Sequence, residues 1–221
     1  MYADALSVPS MIEQTTSLHE IRLEHSFQQI RASGARRVLD LGCGSGQLLY
    51  RLLSDRQFVR IVGLDTCARA LFQARALLAD HLREPTSRLE LVNGSYSEPQ
   101  PTLGDFDAVA MVETIEHLKP GALSAAERVV FAHIRPRVLY LTTPNREYNP
   151  LFGLRPGEFR EQTHEFEWDR AKFRHWVQGV ARRNGYRVTL GGIGDDDPEL
   201  GQPTQTAFFS RLDSGPMGSG L

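Results

Sequence analysis

A chain of 221 residues in which 41% of side chains are hydrophobic and 24% charged can build one buried core, and it lacks the polar, highly charged signature of a disordered chain. Its formal net charge of −2 excludes a protein that holds nucleic acid by bulk positive charge, while leaving room for a local Lys/Arg patch. Two cysteines, Cys43 and Cys67, with no Cys-x-x-Cys pair, exclude a disulfide framework and a zinc ribbon and fit a reducing compartment.

The first residues, MYADALSVPSM, contain no basic region followed by an apolar run, and no stretch approaches the roughly 20 apolar residues of a membrane span. A cytoplasmic monomer without a membrane partner is expected. Leu18 to Ala32 reads as an irregular amphipathic helix carrying Ile21, Phe27 and Ile30. From Arg37 onward, runs rich in Val, Ile and Leu alternate with helical patterns. Strands are predicted at Arg37–Leu41, Val59–Leu64, Leu89–Val92, Ala108–Val112 and Val138–Leu141, and helices near Gln47–Leu53, Arg69–Leu82, Leu123–Ala132 and Arg170–Arg183. Tyr186–Leu190 and Thr206–Ser210 close the pattern as an antiparallel hairpin around the acidic loop Gly191–Pro203. The fold class is α/β: a mostly parallel seven-stranded sheet with helices on both faces and a C-terminal hairpin. One folded domain is expected over 18–212, between flexible segments 1–17 and 213–221.

The segment Asp40-Leu41-Gly42-Cys43-Gly44-Ser45-Gly46 takes an apolar strand through three alternate glycines into a helix. Glycine lets the backbone turn tightly and approach a ligand, and the helix start offers free N–H groups. A tight turn without a ligand would use the same residues. Asp65 ends the second strand, where a carboxylate can accept from both hydroxyls of a ribose or serve as a plain helix cap. Asn93-Gly94-Ser95-Tyr96 follows the third strand, and its polar groups, Ser95 among them, suit an adenine edge as well as an ordinary turn. The glycine spacing disfavours the Gly-x-Gly-x-x-Gly nicotinamide fingerprint. Over residues 36–141, VLDLGCGSG…IVGLD resembles the Rossmann-like class I methyltransferases. That resemblance implies S-adenosylmethionine as cofactor, with Asp40, Gly42, Gly44, Gly46, Asp65 and Ser95 around it.

The fourth strand runs into Glu113-Thr114-Ile115-Glu116-His117. If these residues form a helical turn, Glu113, Glu116 and His117 share one face at i, i+3 and i+4. Two carboxylates and an imidazole suit a hard or borderline divalent ion such as Mg²⁺ or Mn²⁺. A solvated helix start, its carboxylates favourable at the N-terminal dipole, is the alternative. Glu-Thr-Ile-Glu-His-Leu, Phe-Ala-His-Ile-Arg-Pro, Leu-Thr-Thr-Pro-Asn-Arg-Glu-Tyr-Asn and Thr-His-Glu-Phe-Glu-Trp resemble, over residues 18–190, the Hua-enhancer family of small-RNA 3′-terminal 2′-O-methyltransferases. The resemblance implies catalysis through one divalent ion held by Glu113, Glu116, His117 and a later histidine, placed at His164. His133, expected to be packed in the apolar run Val-Val-Phe-Ala-His-Ile, and then His175 are the competitors for that fourth place.

On that reading the enzyme methylates the 2′-hydroxyl of an RNA 3′-terminal ribose. The cation activates the hydroxyl, and two open coordination positions suit a free 2′,3′-diol. Tyr148 and Arg146, on the loop after the fifth strand, are candidates for stacking and phosphate contact, and Arg170, Lys172 and Arg174 for a phosphate patch or a solvated helix face. Bacterial family members commonly carry an N-terminal half that engages an RNA-repair partner, and eukaryotic members carry accessory RNA-binding regions. This chain has room for neither, so it reads as a short form or an excised domain. No repair partner is assigned, and RNA repair and small-RNA silencing both stay open. The rivals are a metal-independent small-molecule methyltransferase and a catalytically silent cofactor-binding module.

Overall fold

The computed structural model describes residues 11–100 and 103–212; of the segments expected to be flexible, 1–17 and 213–221, residues 1–10 and 213–221 lie outside the described residues, while 11–17 belong to a helix. The first helix, α1 (Met11–Ala32), begins seven residues before the expected start at Leu18. It is followed by β1 (Arg37–Leu41), α2 (Gln47–Leu53), β2 (Arg60–Asp65), α3 (Ala68–Leu77), α4 (Ala79–Arg83), β3 (Leu89–Asn93) and β4 (Ala108–Val112). The second half holds α5 (Leu123–Glu127), β5 (Val138–Pro144), α6 (Arg170–Asn184), β6 (Tyr186–Ile193) and β7 (Thr204–Arg211).

The seven strands take the order β3-β2-β1-β4-β5-β7-β6, with only β7 antiparallel to its neighbours. The crossover from β5 through α6 to β6 leaves a one-strand gap that β7 fills from the opposite direction. Side chains alternate between faces along each strand. Leu39, Leu41, Val109, Met111, Leu139 and Leu141 enter a core with α5 and α6. Val38, Ile61, Ala108, Ala110 and Tyr140 enter a second core with α1 and α2. Burial on both faces explains why the strands read as near-continuous apolar runs.

Two further helices depart from expectation. The single helix predicted over 69–82 breaks at Leu78 (φ −105°, ψ 17°), which turns this fully buried side chain against Gly46. The helix predicted over 123–132 widens after Glu127 into π turns over Arg128–Ile134, closed by the Arg135 N–H donating to the Val130 carbonyl at 2.9 Å. The wider turn keeps Val129, Val130, Phe131 and Ile134 against the core together.

Strand order reverses direction between β1 and β4, and the crevice beyond their carboxyl ends is where open α/β sheets receive ligands. The glycine loop leaves β1 there, the Glu-x-x-Glu-His segment leaves β4, and α1 crosses over both.

Candidate active site

A cavity of about 280 Å³ opens at this switch point, and Asp40, Gly42, Gly44, Glu113, His117 and His164 all line it. All three loop glycines take positive φ: Gly42 +78°, Gly44 +54° and Gly46 +86°. A Cβ on Gly42 would stand 2.5 Å from Thr114 Cγ2, so the turn needs glycine to pass under the β4 exit, whereas one on Gly44 would meet no atom within 4 Å and face open space. Gly46 packs behind the cavity, against Ala74 and Leu78.

Asp40 is the one acidic residue of β1 and is 2% exposed. Burial, helped by the nearby Asp65 charge, pushes its carboxyl up to about 7. A cationic ligand group in the cavity would relieve that cost. Asp65 braces the loop: one carboxylate oxygen accepts the Gly44 N–H at 2.8 Å and the other the Cys67 N–H at 2.8 Å. Each oxygen keeps lone-pair capacity for a hydroxyl donor. Asp65 and Ser95 do not line this cavity, and the Ser95 hydroxyl closes a local turn by a 2.7 Å bond with Ser97.

The helical turn expected over 113–117 is not formed as such. Glu113 takes φ +52°, and only Ile115–His117 turns, as a single 3₁₀ turn. Glu113 therefore reaches the cavity through a left-handed kink and not through helical spacing. A non-glycine residue there costs about 1–3 kcal/mol unless its surroundings hold it. Here Thr142 holds it, accepting the Glu113 N–H and donating its hydroxyl to the carboxylate at 2.8 Å. Arg22 of α1 pairs with the other carboxylate oxygen at 3.5 Å.

Glu116, His117 and His164 bring one oxygen and two ring nitrogens within 4.8 Å of one another; Glu113, expected as a fourth ligand, is not in this group and only lines the same cavity. Glu116 is fully buried; Oε2 accepts from the Thr143 hydroxyl at 3.0 Å, and Oε1 has no partner. Burial first, then the Glu113 charge, pushes its carboxyl well above the ordinary range. His117 Nδ1 donates to the Thr163 carbonyl at 3.2 Å, and His164 Nδ1 donates to Glu167 at 2.6 Å, which leaves both Nε2 atoms as free acceptors. The Glu165 N–H donates to the Glu116 carbonyl at 2.8 Å and carries the His164 segment alongside. An orphaned buried carboxylate oxygen beside two imidazoles with free lone pairs fits a divalent cation, whose charge would reverse the cost of ionising Glu116.

His164 is buried and bonded, not a solvated loop residue. His133, expected to be packed, is exposed on the π turns, and His175 is exposed on α6; neither joins the trio. Asn145 is structural: it caps the turn over 146–152 and donates to the carbonyls of Leu200 and Gln202. Tyr148 packs beside Phe152, Arg146 is exposed, Arg170 pairs with Glu147, and Lys172 lies over the Trp168 ring.

Sequence reasoning missed Arg22, Arg160 and Glu167. Arg22 and Arg160 bring the cationic guanidinium groups of the cavity lining, and Arg160 NH1 is buried without a partner. Leu18, Arg22 and Ser26 form one i, i+4, i+8 stripe, so a charged residue on the buried face of the first helix was the signal available for Arg22.

A glycine loop at the switch point, a carboxylate ending β2 and the 3-2-1-4-5-7-6 sheet together define a Rossmann-like methyltransferase domain, and a family model described as a methyltransferase domain matches residues 39–139. The crystal structure of the methyltransferase domain of bacterial CtHen1-CN is 36% identical with TM-score 0.78, over 87% of this chain and 99% of that one. The chain belongs to the Hen1 family of small-RNA methyltransferases. The crystal structure of small RNA methyltransferase HEN1 has TM-score 0.82 at 29% identity, over 95% of this chain and 27% of that one. The small RNA 2′-O-methyltransferase of Gallus gallus is 35% identical over 91% of this chain and 56% of its own length. The chain thus spans about half the length of that relative. No helix among the described residues is long and apolar enough to cross a membrane.

Proposed function

We propose that this chain is an S-adenosylmethionine-dependent, divalent-metal-dependent methyltransferase acting on the 2′-hydroxyl of the 3′-terminal ribose of RNA. The observation that carries the reading is the convergence of Glu116, His117 and His164, one ligand atom each within 4.8 Å of one another, with Glu116 Oε1 buried and unpartnered and both histidines lining the glycine-loop cavity. Glu116, His117 and His164, with Glu113, are the residues that would hold Mn²⁺ or Mg²⁺. Such an ion supplies Lewis acidity that lowers the pKa of a ribose hydroxyl and fixes its direction.

Around it, Gly42 and Gly44 let the backbone approach the methyl donor, and Asp40 offers a negative charge to the donor's cationic groups. Asp65 offers lone pairs to its ribose. Arg22 and Arg160 face the same space with positive charge suited to an RNA phosphate. Holding donor and acceptor in one small cavity supplies the proximity on which methyl transfer depends. Chain placement in the cytoplasm, a monomeric state and a 2′,3′-diol requirement belong to the same proposal.

The test is incubation with labelled methyl donor and Mn²⁺ on paired RNAs ending in a 2′,3′-diol, a 2′-deoxy sugar or a 3′-phosphate. Label on the diol end only, lost with a strong chelator, is expected. Equal labelling of all three ends, or labelling that survives chelation, contradicts the proposal.

A further inference from the structure

We propose that Glu167 is the positioning residue of the cation site: it holds His164 with Nε2 toward Glu116 and His117, and through Asn149 it sets Arg160 over the same cavity. The inference rests on the cation-dependent reading above and names a residue outside the ligand trio on which cation affinity depends.

Glu167 is 2% exposed and lies between Phe166 and Trp168, whose rings stack at 4.4 Å between centroids. Three donors converge on its carboxylate. Oε1 accepts from His164 Nδ1 at 2.6 Å and from the Arg160 backbone N–H at 2.8 Å, while Oε2 accepts from Asn149 Nδ2 at 2.6 Å. Asn149 in turn accepts from Arg160 Nε at 2.7 Å, and Arg160 NH2 donates to the Asn145 carbonyl at 2.6 Å. A carboxylate accepts only, so the contact with His164 puts the proton on Nδ1 and leaves the Nε2 lone pair for the cation. Removing a partner of this kind typically weakens metal binding by roughly 10- to 100-fold.

The same wiring predicts why an amide will not substitute. In Glu167→Gln, Oε1 can still face His164, but the new NH₂ group then meets the Asn149 NH₂. Turning Asn149 over would break its bond to Arg160 Nε, so the change reaches both halves of the site. A purely structural carboxylate would instead lose folding stability and all ligand binding together.

The experiment measures Mn²⁺ affinity by electron paramagnetic resonance, S-adenosylhomocysteine affinity by calorimetry and the melting temperature for wild type, Glu167→Gln and Glu167→Asp. Expected is a Mn²⁺ affinity lower by roughly 10- to 100-fold in Glu167→Gln, with cofactor-product affinity close to wild type. Glu167→Asp keeps the charge but loses reach, so its Mn²⁺ affinity falls between the two; it also decides the question if Glu167→Gln does not fold. Unchanged Mn²⁺ affinity in the folded variants overturns the proposal, as does a matching loss of both affinities. Absence of saturable Mn²⁺ binding to the wild type overturns the cation reading itself.

Discussion

Asp40 carries a stability cost that the cationic groups of the proposed methyl donor would relieve. Its folded carboxyl titrates near 7, so between the ordinary carboxylate value and 7 the folded chain keeps a proton that the unfolded chain has released. Stability therefore falls as pH rises through that window, and the full cost is present above about 7. Asp40→Asn is expected to raise the melting temperature more at about pH 8 than at about pH 5, and to weaken S-adenosylhomocysteine binding by roughly tenfold, about 1.4 kcal/mol. Thermal melts at both pH values and calorimetry check it. Glu116→Gln keeps an acceptor for Thr143 while removing the cost of burying an ionisable carboxyl, so it is expected to raise the melting temperature in cation-free buffer and abolish saturable Mn²⁺ binding. At this scale the sequence carried Glu116 and His117 by spacing and His164 only by family resemblance. Arg160 and Glu167 were hidden because their roles come from contacts across the 146–168 loops, which no local period encodes.

Among the elements, the turn after β1 is tightly constrained. Gly42 combines a positive φ with a Cβ position 2.5 Å from Thr114, so Gly42→Ala is expected to cost about 1–3 kcal/mol through overpacking and backbone strain. Differential scanning calorimetry should show a melting temperature lower by about 2–4 °C per kcal/mol for a domain of this size. Strands β1 and β4 were legible to the residue because they are buried on both faces and bounded by turn chemistry. The break at Leu78 and the π turns after Glu127 were not, because both are set by what the helix packs against. The kink at Glu113 was likewise invisible: the residues looked helical, and tertiary bonds to Thr142 made them otherwise.

For the molecule as a whole, α1 is the strap that completes the site, bringing Leu18 and Arg22 to the cavity from the far end of the chain. It is fastened by the 2.7 Å bond between His25 Nδ1 and the Tyr140 hydroxyl and by the Arg22 contacts with Glu113 and Thr204. Tyr140→Phe removes the first fastening, with an expected cost of about 1 kcal/mol and weaker S-adenosylhomocysteine binding; unchanged affinity would show that the strap does not support the cavity. The parallel sheet and its switch point followed from the alternation of apolar runs and helices, whereas the docking of α1 on β5 pairs residues too far apart in sequence to be read from it. The central claim is that Glu116, His117 and His164 share one cation, and anomalous diffraction from crystals soaked in Mn²⁺ tests it most directly. A peak bonded to Glu116 Oε1 and to Nε2 of His117 and His164 is the predicted result. A map in which Mn²⁺ binds elsewhere, with these three side chains pointing apart, would contradict it.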